Sequence, residues 1–197
     1  MDAKLMLADM LKESRFLFNP EPMHVYKPRP DGNGAAMKLN LRLNATLGES
    51  GEFVKSVDGG LFVDMAKQDG KTPDGRFPKF AWQDESSLVK AKFCLPDILG
   101  MLTAMRNVRL LGKPVPMSLR PKQELDEAKR KVTLSLFHKF NKSSSAITMT
   151  FGADSSVLRI SKSKDLSRSI SLSLLEELML ERYLDIALES FLRLGVR

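Results

Sequence analysis

From Met37 to Leu47 the chain alternates almost without lapse. Met37, Leu39, Leu41, Leu43, Ala45 and Leu47 take one parity, and Lys38, Asn40, Arg42, Asn44 and Thr46 take the other. Successive side chains of a strand point to opposite faces, so a period of two held this long gives a strand with one apolar face and one wet face. A strand buried on both sides in a parallel α/β sheet would instead read as continuously apolar. The segment commits this part of the chain to an antiparallel sheet with one face in solvent.

The rest of the chain reads in the same terms. His24–Lys27 is a short strand ahead of it, separated by a turn-rich insertion, Pro28–Gly34. Gly59-Gly60 reads as a turn, after which Leu61, Val63 and Met65 alternate again, and Asp69-Gly70 and Asp74-Gly75 punctuate a loop. Phe77–Trp82 and Leu88–Leu95 read as strands. Pro96, tolerated in a first turn, opens a helix to about Asn107 with Ile98, Leu99, Leu102 and Met105 on one face. Residues 108–128 form a connection with Pro114, Pro116 and Pro121, and the charged run Lys122–Arg130 reads as a short helical turn. Then come a strand at Lys131–Phe140, a hairpin turn at Asn141–Ser144, and a strand carrying Ile147, Met149 and Phe151. A strand at Ser156–Lys162 and a short one near Ser169–Ser171 follow. A long helix runs from about Ser173 to Leu194, opened by the capping-box pair Ser173 and Glu176. Leu174, Leu175, Leu178, Tyr183, Ala187, Phe191 and Leu192 give that helix more apolar surface than one buried stripe needs, which points to a second subunit.

The expected fold class is therefore α+β, built from two ββββα repeats that form antiparallel sheets around two helices. Repeat one covers about 23–107, the connection 108–128 and repeat two about 129–197, all in a single domain. Residues 1–22 read as an N-terminal appendage, ended by Pro20 and Pro22.

Composition narrows the function. Of 197 residues, 43% are hydrophobic, enough for one real core. No apolar run nears the roughly 20 residues of a membrane span, and the opening residues lack the basic-then-apolar pattern of a secretory signal. The single cysteine, Cys94, excludes an intramolecular disulfide and a Cys-rich zinc site, and its apolar neighbours suggest a small buried hydrophobe. The expectation is a cytoplasmic protein. Net charge is +7, a weak pointer by itself. Its distribution says more: Lys129–Arg168 holds nine basic residues against two acids, while Ser169–Arg197 holds three against five, so the basic excess falls on strands. There is no Walker loop, HExxH, GxSxG or GxGxxG, and neither His24 nor His138 has a motif around it. Asp64, Asp69 and Asp74 lack the EF-hand pattern and read as solvated turn residues. No enzyme activity, cofactor or metal is expected.

Several segments, in this order, resemble the Whirly family of single-stranded-DNA-binding proteins. Val25-Tyr26-Lys27 resembles the opening of the family's VYKGKAAL motif, although here Pro28–Gly34 separates it from Ala35-Ala36-Met37. Gly60-Leu61-Phe62-Val63-Asp64 is similar to a glycine–apolar–Val-Asp strand, Phe80-Ala81-Trp82 to an aromatic–x–Trp pair, and Lys92-Phe93-Cys94-Leu95-Pro96 to the lead into the first helix. The resemblance spans roughly residues 24–195. It implies a twisted pair of antiparallel sheets, helices forming a core between protomers, a homotetramer, and binding of single strands largely without sequence preference. It further implies a role in DNA replication, recombination, repair or transcription, in a bacterial or phage-infected cell or in an organelle.

Single-strand binding requires cations that follow phosphates and flat groups on which bases stack. Strand residues of one parity supply both about 7 Å apart. Lys38 and Arg42, with Asn40 and Asn44, form one such row; Lys131, Phe137 and Lys139 form a second, with Arg159 and Lys162 near in sequence. Lys27 and Lys79 extend the basic set. Phe137 falls on the polar parity between Ser135 and Lys139, where it either stacks on a base or packs under a loop or another subunit. Phe77, Phe80 and Trp82 compete for the stacking role, and Phe62 is a weaker candidate. The expected partner is single-stranded DNA. RNA of the kind held by guide-RNA binders, or a protein docked on the sheet faces, are the alternatives.

Overall fold

The computed structural model describes residues 20–47, 54–72, 74–110, 122–126, 131–140, 143–151, 155–162 and 166–194. Ten strands and two helices appear among them. β1 (Met23–Lys27), β2 (Ala35–Leu47), β3 (Val54–Lys71), β4 (Pro78–Phe80) and β5 (Val89–Phe93) precede α1 (Leu95–Leu110). β6 (Lys122–Asp126), β7 (Lys131–Phe140), β8 (Ser143–Phe151), β9 (Ser155–Ser161) and β10 (Ser167–Ser173) precede α2 (Leu174–Leu194).

The expected α+β class holds: two antiparallel sheets and two helices. The second sheet has a fifth strand, β6, beyond the four read from the sequence. In the first sheet β2 lies between β1 and β3, and the far edge of β3 is shared, by β5 at residues 61–65 and by β4 at its end. The second sheet is a meander in the order β10-β9-β8-β7-β6.

The alternation seen in the sequence becomes burial. Met37, Leu39, Leu41 and Leu43 are fully buried, as are Leu61, Val63 and Met65 opposite them. They join Ile147, Met149, Phe151, Leu158, Ile160, Ile170 and Leu172 of the second sheet in one continuous core. Helix α1 contributes Ile98, Met101, Leu102, Ala104 and Met105 to it. Leu99, expected on that face, is instead 39% exposed. Helix α2 contributes Leu180, Tyr183, Leu184, Ala187 and Phe191, a stripe of helical spacing. Deeper in, the backbone N–H of Leu41 donates to the Tyr183 hydroxyl at 3.1 Å, tying helix to sheet where β1 has ended. Arg106 bridges the helices by donating to Glu181 (2.9 Å) and Asp185 (2.7 Å).

Both helix starts are capped. The Ser173 N–H donates to Glu176 at 2.8 Å and the Glu176 N–H donates back to the Ser173 hydroxyl at 3.4 Å, the expected capping box. At α1 the capping residue is Cys94, which is exposed rather than buried. Its N–H and its thiol both donate to Asp97, at 2.7 and 2.9 Å. Partial burial, with Asp97 beside it, pushes the thiol up to about 11.

Three further expectations are corrected. Gly59-Gly60 is not a turn but lies inside β3, paired with Leu43 and Arg42, because β2 offers a partner strand along its whole length. Neither glycine has the positive φ seen at Gly70 and Gly75. Residues 122–126 of the charged run form a strand, β6, because they pair with β7, so the second unit begins inside what reads as connection; residues 127–130 lie outside the described residues. Asp64 and Asp69 lie in β3 rather than in a turn. The appendage expected over 1–22 falls, up to residue 19, outside the described residues.

Candidate nucleic-acid interface

The outer face of the first sheet, turned away from the core, is a grid set by register. One cross-strand row reads Tyr26, Ala36, Ala66; the next His24, Lys38, Asp64, Lys90; the next Asn40, Phe62, Lys92; the last Arg42, Gly60. Neighbouring strands lie about 4.8 Å apart and same-face residues along a strand about 7 Å apart. Two cations, Arg42 and Lys92, thus flank one ring, with Lys38 one row further along.

Phe62 occupies the centre. The Arg42 guanidinium carbon lies 5.5 Å from its ring centroid and the Lys92 ammonium 5.8 Å. Both are within cation–π range, worth about 0.5–1 kcal/mol at exposed sites. Phe62 itself is half-buried. Gly60 makes the Lys92 position available: a Cβ there would meet Lys92 Cε at 2.2 Å and Cγ at 2.9 Å. Asn40, with its amide oriented to satisfy both groups, accepts from Arg42 Nε at 2.9 Å and Nη2 at 3.3 Å and steadies the guanidinium. Lys90 is engaged elsewhere, with Glu85 at 2.8 and 3.0 Å.

One end of the face carries an aromatic wall. β4 and the loop after it fold over Ala36 and Ala66, burying Phe80 and Leu88 against them with Trp82 packed alongside. Tyr26, half exposed, stands in front: its ring lies 5.5 Å from Phe80 and 5.9 Å from His24, stacked on the latter at 21°.

The residues singled out from the sequence divide accordingly. Lys38, Asn40 and Arg42 share the face with this wall. Phe80 packs beneath it, at 8% exposure, and offers no open ring for a base; Trp82 is half-buried beside it. Lys79 is exposed on β4, and Phe77, 64% exposed, sits at the turn before it, where its N–H donates to the Thr72 hydroxyl at 3.1 Å. Lys27 has the core-facing parity of Met23 and Val25 and pairs with Glu176 of α2 at 2.5 Å, so it does not belong to the face. Lys131, Phe137, Lys139 and Arg159 lie in the other sheet. There Phe137 pairs with Ala146, and Ser135 with Thr148, which in turn pairs with Arg159. Arg159 donates to the Ser167 hydroxyl at 2.9 Å. Lys162 lies at the bend after β9.

Sequence reasoning missed Lys90, Lys92 and Tyr26 and underrated Phe62. The signal for the lysines was present, since Lys90 and Lys92 alternate with Val89, Ala91 and Phe93. Among the described residues no group of three His, Cys, Asp or Glu side chains could hold a metal ion, and no helix is long and apolar enough to cross a membrane.

These two sheets and two helices make a Whirly-like fold. The chain is similar to the crystal structure of WHY1 from Arabidopsis thaliana, at a TM-score of 0.56 and 17% sequence identity, over 87% of this chain and 84% of that one. No protein-family model matches the sequence, and no curated protein matches it.

Proposed function

We propose that the chain binds single-stranded nucleic acid, DNA foremost, on the outer face of its first sheet, and does so as a binding protein rather than an enzyme. The observation that carries this reading is the half-buried Phe62 ring flanked by Arg42 and Lys92, with Lys38 one row away. A flexible polyanion needs cations for its phosphates and flat surfaces for its bases. This face offers both at strand spacing, and the Whirly-like fold supports the same reading. The process served would be replication, recombination, repair or transcription, in the cytoplasm or an organelle.

The test is anisotropy of a labelled oligothymidine against duplex competitor and a matched RNA strand. Single-strand binding should exceed duplex binding at moderate salt. Phe62→Ala should weaken it by about 5- to 150-fold, the equivalent of about 1–3 kcal/mol for one lost stacking platform. Equal affinity for duplex, or an unchanged Phe62→Ala variant, would sink the reading.

A homo-oligomer, with a tetramer favoured, is part of the proposal. On α2 the side chains of Leu174, Leu175, Leu178 and Met179 are 45–68% exposed. Contiguous exposed apolar surface of this kind marks an interaction site. Leu175→Glu with Leu178→Glu should shift sedimentation toward monomer. An unchanged profile would refute association through α2.

A further inference from the structure

Within the basic face one residue has the wrong sign. Asp64 stands between Lys38 and Lys90 in its row and two positions along β3 from Phe62. It is half-buried, yet none of the described residues donates a hydrogen bond to its carboxylate or forms a close ion pair with it. Lys90, one of its two basic neighbours by register, is held by Glu85. Burial raises the Asp64 carboxyl above its ordinary value, a shift that Lys90, Arg42 and Lys38 only partly offset. A carboxylate can accept through two oxygens, and those of Asp64 keep contact with solvent, so they can take a donor from a ligand laid on the face. A face that gained only from phosphate attraction would gain more from a neutral residue here.

Asp64 stands about 7 Å along β3 from Phe62, so the hydrogen-bonding edge of a base stacked on that ring faces it across a gap that a hydrogen bond closes. A phosphate cannot occupy that position beside a carboxylate, but a donor edge can. Guanine offers two adjacent donors on its Watson–Crick edge, N1–H and the N2 amine, which match the two carboxylate oxygens. Cytosine and adenine offer one amine beside an acceptor. Thymine offers a single N–H flanked by two carbonyls that a carboxylate repels. Single-stranded bases are commonly read on these edges while stacked on aromatic rings.

We propose that Asp64 gives the face a graded base preference, accepting from the edge of the base stacked on Phe62 and favouring guanine most and thymine least. This rests on the reading of the face as a nucleic-acid interface, and departs from the sequence-indifferent binding expected from the resemblance. The experiment compares three oligonucleotides of equal length: all thymine, thymine with spaced guanines, and the latter with inosine in place of guanine. The full chain and its Asp64→Asn variant are titrated with each. For the full chain the guanine strand should bind roughly 10-fold tighter than the thymine strand, as one good bidentate pair provides. Inosine, which lacks the N2 amine, should fall between. Asp64→Asn should bring the guanine and thymine strands to near-equal affinity while binding thymine at least as well as before, since a negative charge is removed. Urea midpoints of both proteins exclude a folding defect.

Equal binding of all three strands by the full chain, or a guanine preference that survives Asp64→Asn, overturns the proposal. The two readings fail separately. If Arg42→Glu leaves thymine binding intact, the face itself is wrong and the Asp64 role falls with it. If Arg42→Glu abolishes binding but no preference exists, only the Asp64 role is lost.

Discussion

Salt dependence gives the most quantitative test of where a nucleic acid sits. Three cations on the outer face, Lys38, Arg42 and Lys92, are not paired with any acid of the described residues, whereas Lys90 is paired with Glu85. Each cation that neutralises a phosphate of a single strand adds about −0.7 to the slope of log affinity against log salt. The three together contribute about −2.1. Between 50 and 200 mM salt this amounts to about a 20-fold loss of affinity from this face. Arg42→Gln with Lys92→Gln removes two of the three, lowering the slope by about 1.4 and the loss from this face to about 3-fold over the same range. Lys27→Gln is the matched control. Lys27 is equally basic, but its charge lies on the core-facing parity and is held by Glu176, so its loss should leave the slope where it was. The assay is anisotropy of a labelled oligothymidine at five or more salt concentrations. An unchanged slope in the double variant, or an equal drop in Lys27→Gln, would place the strand elsewhere and refute the assignment.

Three other outcomes follow from groups around the face and core. Tyr183→Phe keeps the buried ring but strips the acceptor from the Leu41 N–H, and should cost about 1–3 kcal/mol in urea unfolding with an unchanged m-value; a change within error would mean another acceptor takes that bond. Glu176 lies below its ordinary value of 4.5: burial pushes it up, but the hydrogen bonds from Lys27 and Ser173 prevail. A folded-state carboxylate held low stabilises at neutral pH and loses that contribution as pH falls below the ordinary value, so the urea midpoint should drop between pH 5 and 3 by more in the parent than in Glu176→Gln; parallel profiles would count against it. The Cys94 thiol, at about 11, should react slowly with iodoacetamide at pH 8 despite its exposure and accelerate as pH approaches that value, whereas a rate typical of a free thiol at pH 8 would contradict the Asp97 contact.

What could be read from the sequence, and what could not, follows from how far each determinant reaches along the chain. The parity of β2 is local: eleven residues suffice to say that Lys38, Asn40 and Arg42 share one side and Leu39 and Leu41 the other. The capping box at α2 is local too, and both were legible. The centre of the face is not local. Phe62 becomes central only because β3 aligns it with Asn40 on one side and Lys92 on the other, and that alignment depends on a register that reaches from residue 40 to residue 92. Taken alone, Phe62 is an off-face aromatic and Lys92 a strand lysine.

Gly59-Gly60 misleads for a related reason. Glycine is the usual residue of a turn, but here it is selected by neighbours distant in sequence. A Cβ at Gly59 would strike the Arg42 carbonyl oxygen at 2.2 Å, and one at Gly60 would displace Lys92. A strand that must let a side chain lie across it needs glycine without needing a turn, and only the packed sheet reveals which of the two applies. The same dependence makes Gly60 the most economical probe of the site. Gly60→Ala should cost little stability, because Lys92 is a flexible side chain that can move aside. Moving it takes one cation off the Phe62 ring, so single-strand affinity should fall and the salt slope should lose about 0.7. If Gly60→Ala binds with the parent's slope, Lys92 does not act from the position the sheet gives it.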